Sequence, residues 1–308
     1  MSLLSSAKKI LEENLKATQK DRVVVLFDGA QPRIAGAFVA ACREKGISCR
    51  LQRIPGNRLP SSPIPGARKA LEWATVLVAP TRNSVTHSRE VVEAAARGLR
   101  GVTIPGVTAK VFSAIARADD KQIREANARV LKAMRSASWA RVKTPSGSDF
   151  VVRYGGRHIG VNGTDFSRRG TVSNLPAGEV FVAPLERGSD GVVSVDYYAG
   201  LIKPGDNALL RVEKGRIVGW SKGAEPLAKK LLRAGGNSMV LCEFALGTNK
   251  AHEKPVGNVL YDEKVWGTVH VAFGQNTGFG GKNEAGAHED VVLARPSVWF
   301  GGKKFSWK

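Results

Sequence analysis

With 308 residues, 43% of them hydrophobic and 24% charged, the chain has the composition of an ordinary globular protein and length enough for one large domain or two. No apolar run approaches the length needed to cross a bilayer, and charges stand near the N-terminus where a secretory leader needs its apolar core, which argues against membrane insertion and export. The net charge of +20 would attract polyanions, but the 47 Lys and Arg residues are spread along the chain without a nucleic-acid-binding motif, so they read as a solvated surface.

In chain order, Ser2 to Thr18 carries apolar residues at helical spacing. Arg22 to Phe27 is a buried strand ending at the turn pair Asp28-Gly29, and Pro32 opens a helix that Gly46 closes. Ser48 to Gln52 is the next strand. Gly66 to Trp73 reads as a helix, Ala74 to Ala79 as a strand, Ser88 to Arg97 as a helix and Gly101 to Ile104 as a short strand. This alternation predicts an α/β N-terminal domain, a parallel sheet flanked by helices. No Gly-x-Gly-x-x-Gly follows the first strand and no P-loop occurs, which argues against the common nucleotide sites.

A basic helix from Asp120 to Ala137 then leads to a different pattern. From Trp139 onward short strands separated by glycine turns take over, interrupted by one helix at Glu225 to Ala234. The boundary is expected at 138/139, giving an N-terminal α/β domain over 1–138 and a β-rich α+β domain over 139–308. Cys42, Cys49 and Cys242 are too few and too scattered for a disulfide framework or a structural zinc knot, and fit a reducing cytoplasm. Cys242, with apolar neighbours, reads as packing material.

The candidate chemistry lies in the second half. His270 sits inside the apolar run Val269-His-Val-Ala-Phe-Gly274, where a buried imidazole needs a partner. His288 and Asp290 are two apart, so on a strand they project from one face and can bind one cation. Glu179 and Glu243 each begin or interrupt an apolar segment, where a carboxylate requires a cation beside it. Glu263 is a sixth candidate. Imidazole and carboxylate ligands suit zinc, cobalt, manganese or non-haem iron. His252, in the polar stretch Asn249 to Lys254, is expected to be exposed.

Asn174-Leu-Pro-Ala-Gly-Glu179-Val-Phe, Glu243-Phe-Ala-Leu-Gly247, Leu260-Tyr-Asp-Glu263, Gly267-Thr-Val-His270-Val-Ala-Phe-Gly274 and His288-Glu-Asp290 occur in order over residues 139–300. As a set they resemble the thermophilic metalloaminopeptidase family, the aminopeptidase T and aminopeptidase S group. The resemblance implies two divalent ions, zinc, cobalt or manganese, and hydrolysis of an amide or peptide bond in a small-molecule or short-peptide substrate. It further implies Glu179, Glu243, His270, His288 and Asp290 as ligands, Glu243 as the bridge, Glu263 as the general base or an outer ligand, and a homodimer. The chain departs from the family in the seven-residue step from Glu263 to His270 and in Thr277, which stands where the family has a tyrosine. The same motifs resemble 2,5-dihydroxypyridine dioxygenase-like proteins, in which two histidines and an aspartate hold one iron for ring cleavage. This alternative is matched by His288 and Asp290, whereas Glu179 and Glu243 favour the hydrolase.

Overall fold

The computed structural model describes residues 2–57 and 62–307. The chain forms two compact units, Met1–Asp120 with Gly163–Ala177, and Lys121–Asn162 with Gly178–Lys308. The division thus falls earlier than the 138/139 boundary read from the sequence, and the chain crosses between units three times. The physical reason is the basic helix: its apolar residues Val130 and Met134 join the core of the second unit rather than the first.

The first unit contains helix α1 (Leu3–Lys9), strand β1 (Arg22–Phe27), α2 (Pro32–Glu44), β2 (Ser48–Arg53), α3 (Arg68–Trp73), β3 (Val76–Ala79), α4 (Arg89–Ala96), β4 (Arg100–Thr103) and α5 (Ala109–Arg117). Its sheet is parallel throughout, in the order β2-β1-β3-β4 followed by Val172–Asn174. Val23 to Leu26 of β1 and Val76 to Ala79 of β3 are buried on both faces, as a parallel sheet covered by helices requires. Phe38 of α2 meets Phe112 of α5 edge to face at 5.4 Å.

The second unit begins with α6 (Asp120–Arg135) and strands β5 (Trp139–Lys143), β6 (Asp149–Arg153) and β7 (Ile159–Asn162). After the crossing that contributes Val172–Asn174, counted as β8, it resumes with β9 (Glu179–Val182), β10 (Ser189–Val195), β11 (Ala208–Glu213), β12 (Arg216–Trp220) and α7 (Glu225–Ala234). It ends with β13 (Leu241–Gly247), α8 (Val259–Asp262), β14 (Val269–Gly274), β15 (His288–Leu293), β16 (Ser297–Phe300) and β17 (Lys303–Lys304). The strands make a seven-stranded antiparallel sheet, β12-β11-β10-β6-β5-β16-β17, and a five-stranded one, β15-β14-β13-β9-β7. One hydrophobic core draws side chains from both sheets and from α6 and α7, with Tyr154 stacked on Phe244. No helix among the described residues is long and apolar enough to cross a membrane.

Candidate metal centre

The five-stranded sheet sorts its residues by the strand period of two. Val180, Val182, Phe244, Leu246, Val269, Val271, Phe273, Val291 and Leu293 belong to the hydrophobic core. The intervening positions carry the chemistry. Across the ladder Asp290, Ala272 and Glu243 stand opposite one another, His270 pairs with Ala245, Glu179 with Gly247, and His288 with Gly274. Alanine or glycine therefore neighbours every ionisable residue on this face, which leaves room for groups that larger side chains would fill.

Two local devices complete the face. The register between β13 and β14 shifts from Leu241 to Glu243, a bulge of the kind that re-aims a side chain, and Glu243 is the residue it delivers. Gly247 ends β13 where a side chain would have no space: a Cβ there would come within 2.2 Å of the Val265 carbonyl oxygen and 2.9 Å of that of Glu263. The backbone just after α8 thus lies directly on the sheet and brings Glu263 and Lys264 to it.

The side chains form two adjoining groups, Glu179 with Glu263 and His270, and Glu243 with His288 and Asp290; within each, the potential ligand atoms lie within 4.8 Å of one another. Nε2 of His270 is 3.3 Å from Glu179 Oε2 and 3.6 Å from Glu243 Oε1. Nε2 of His288 is 3.3 Å from Glu243 Oε2 and 3.5 Å from Asp290 Oδ1. Glu243 therefore faces one group with each oxygen. Nδ1 of His288 lies 2.7 Å from the Gln275 carbonyl oxygen, to which it can donate its proton, so that in the neutral ring Nε2 would offer the lone pair to a metal. The first group is closed to solvent, whereas the His288 side chain is 33% exposed.

So many carboxylates in one place demand cations. Burial works against a charged His270, but Glu179 and Glu243 outweigh it and push the imidazole up to about 10. His288 rises for the same reason, through Asp290 and Glu243, and both histidines in turn hold Glu243 well below the usual carboxylate range against its burial. Burial, with Asp290 and Glu179 adding repulsion, raises Glu263 to about 8 despite the opposing pull of Lys264. Hydrogen bonds leave part of the demand unmet: Glu179 Oε2 and both ring nitrogens of His270 are buried without a hydrogen bond, Nε2 and Oε2 only facing each other at 3.3 Å. Orphaned donors of imidazole and carboxylate type, aimed at one another, fit a divalent metal ion.

All six residues singled out in the sequence are thus brought together. Lys264 was not anticipated: its side chain is 2% exposed, with Nζ 2.5 Å from Glu179 Oε1 and 2.6 Å from Glu263 Oε1. Burial opposes the charge on Lys264, yet the two carboxylates hold it above the usual lysine range. His252, expected to be exposed, is buried and stacked on Tyr261, ring centroids 3.7 Å apart, because the chain at Asn249 bridges to Val265 and draws the loop inward. Cys242 is buried as expected, but its Sγ also lies 3.7 Å from His288 Nδ1. Thr277 is exposed, and the aromatic group near it is Phe279, whose ring meets those of His288 and Phe181 edge to face.

A sheet with an apolar core behind it and a cluster of acids and imidazoles in front defines a metal-binding α/β protein. Residues 109–294 match the thermophilic metalloprotease (M29) family, and the chain belongs to it. The chain is 30% identical over 176 residues to aminopeptidase AmpS of Bacillus subtilis. That match covers 48% of this chain and 41% of the relative, so the matched region spans about two fifths of the curated relative's length. Two solved structures share the fold at 19% identity. One is 2,5-dihydroxypyridine dioxygenase from Pseudomonas putida (TM-score 0.81, covering 98% of this chain and 94% of that one), the other AmpT from Thermus thermophilus (TM-score 0.72, covering 98% and 96%).

Proposed function

We propose that the chain is a metal-dependent hydrolase of the aminopeptidase type, cleaving an amide or peptide bond at a free amino end. The observation that carries this reading is the convergence of Glu179, Glu243, Glu263, His270, His288 and Asp290, with buried donor atoms left unpartnered. Glu243, His288 and Asp290 would hold one divalent ion, and Glu179, Glu263 and His270 would hold the second of a dinuclear site, with Glu243 between them. Zinc, cobalt and manganese all suit such donors. When bound, the metal supplies Lewis-acid chemistry, lowering the pKa of a water and polarising a carbonyl oxygen.

The protein's own residues have separate tasks. Glu263, whose carboxyl burial pushes up to about 8, is the group placed to pass a proton between water and a leaving amine when it is not itself holding the second ion. Glu243 fixes the two groups relative to one another through its two oxygens. The Gln275 carbonyl keeps His288 in one tautomer and orientation. Phe279 packs edge to face on His288 and in turn on Phe181, giving the imidazole an apolar neighbour on one side.

The shared fold with a ring-cleaving dioxygenase supplies the second reading, one Fe(II) acting on a hydroxylated heteroaromatic ring, with His288 and Asp290 among its ligands. The acids Glu179 and Glu243 weigh against it, since oxygenase iron sites of the facial type use a single carboxylate. One experiment separates the two. The purified chain is analysed for bound metal, then assayed on aminoacyl p-nitroanilides and on 2,5-dihydroxypyridine in an oxygen-electrode cell. Metal-dependent release of nitroaniline without oxygen uptake supports the hydrolase; oxygen consumption with one iron per chain and no hydrolysis overturns it.

A further inference from the structure

Lys264 is a lysine buried inside the site, and the metal ligands alone do not explain it. Each carboxylate beside it has two oxygens, and Nζ engages one from each, Oε1 of Glu179 and Oε1 of Glu263. Its backbone is fixed, with the Lys264 carbonyl accepting from the Asn249 amide at 2.9 Å and the chain pressed onto Gly247. The side chain has no water to retreat into. A metal entering this group would find His270 Nε2, Glu179 Oε2 and the second oxygen of Glu263, and would meet an unscreened ammonium a few ångströms away. The other group differs in both respects. Among the described residues no lysine or arginine forms an ion pair with Glu243 or Asp290, and His288 is open to solvent.

We infer that Lys264 is a built-in cation for the Glu179 and Glu263 carboxylates, so that the two ligand groups are unequal: Glu243, His288 and Asp290 bind one divalent ion tightly, and the His270 group takes a second only weakly. This rests on the reading of the site as a metal centre. Lys264 acts here as a positioning residue that touches ligands rather than substrate, setting a fixed positive charge against one oxygen of each acid where a second metal would otherwise bind.

The test is a metal titration, read as bound ions per chain. The full-length protein, stripped of metal by chelation and dialysis, is titrated with Mn2+, free ion being followed by its paramagnetic resonance signal. Two separated steps are expected, the second weaker by about tenfold or more. In Lys264→Met the second step should strengthen by about tenfold or more while the first changes less than about threefold, because the ammonium that competes with the metal for the two acids is gone. The spin-coupled signal of paired manganese should appear in the variant at concentrations where the original chain shows isolated ions. Two equal steps in the original chain overturn the inference, and so does a Lys264→Met variant with an unchanged ratio of steps. Should that variant not fold, the titration of the original chain decides alone. Failure to bind any divalent ion would instead sink the metal reading itself, which keeps the two failures apart.

Discussion

At the scale of single residues, the site was legible wherever a charge interrupts an apolar strand. Glu243 and His270 lie inside β13 and β14, whose every residue is buried, and a carboxylate or imidazole at such a place must have a partner. Lys264 and His252 were not legible, because each follows or precedes other polar residues and such stretches ordinarily face water. The two kinds of histidine make a clean prediction. His288→Ala should lower bound metal to a small fraction of the original content with little change in thermal stability, since the side chain is partly exposed. His252→Ala should keep the metal and lower stability by about 2 kcal/mol, the expected loss for a buried stacked ring. Metal analysis and thermal melting of the two variants check both; equal metal losses would remove His288 from the ligand set. Glu243→Ala, which takes away the side chain facing both groups, is expected to cost about a hundredfold or more in hydrolysis and to empty the site while far-ultraviolet dichroism stays unchanged.

At the scale of elements, the strand and helix periods were read correctly where they ran uninterrupted. Arg22–Phe27, Glu225–Ala234 and Val269–Gly274 begin and end where the pattern puts them. Helix α5 was missed although Val111, Phe112 and Ile115 share its buried side and Thr108 caps it, because a short helix after a Pro-Gly turn offers few turns of period to read. The bulge at Glu243 and the approach of the chain to Gly247 depend on pairing between distant segments and leave no local trace. Gly247→Ala therefore tests the scaffold of the site. Its methyl group would collide with the Val265 carbonyl and force the segment bearing Glu263 and Lys264 off the sheet, so melting temperature and activity should fall together. Gly36→Ala is the control: Gly36 is an exposed position of α2 where an added Cβ would meet nothing within 4 Å beyond its chain neighbours and its own helix backbone, and the substitution should stabilise the chain by about 0.5–1 kcal/mol without altering activity.

At the scale of the whole molecule, the order of an α/β part followed by a β-rich part was visible in the change of period, but the crossings at 163 and 178 were not. Val172–Asn174 is three residues long, and only its pairing with β4 shows that it belongs to the parallel sheet. That sheet is also tied at the starts of its inner strands β1 and β4 by a charge pair whose effect on stability can be followed with pH. Arg100, at the start of β4, grips Asp21, just before β1, with two nitrogens at 3.0 Å from the two carboxylate oxygens. Burial pushes the Asp21 carboxyl up, but the Arg100 guanidinium, the Thr18 amide and the Thr75 hydroxyl together bring it down from 3.8 to about 2. Because the folded value lies below the unfolded one, the contribution of Asp21 is complete above pH about 4 and is lost as the pH falls toward 2. Asp21→Asn should accordingly destabilise the chain at neutral pH and make its stability less sensitive to acid over that interval, while the two proteins converge at the acid end. Urea denaturation from pH 7 to pH 2 measures this, and a constant difference between them across the whole range would show that the pair adds no ionisation-linked stability.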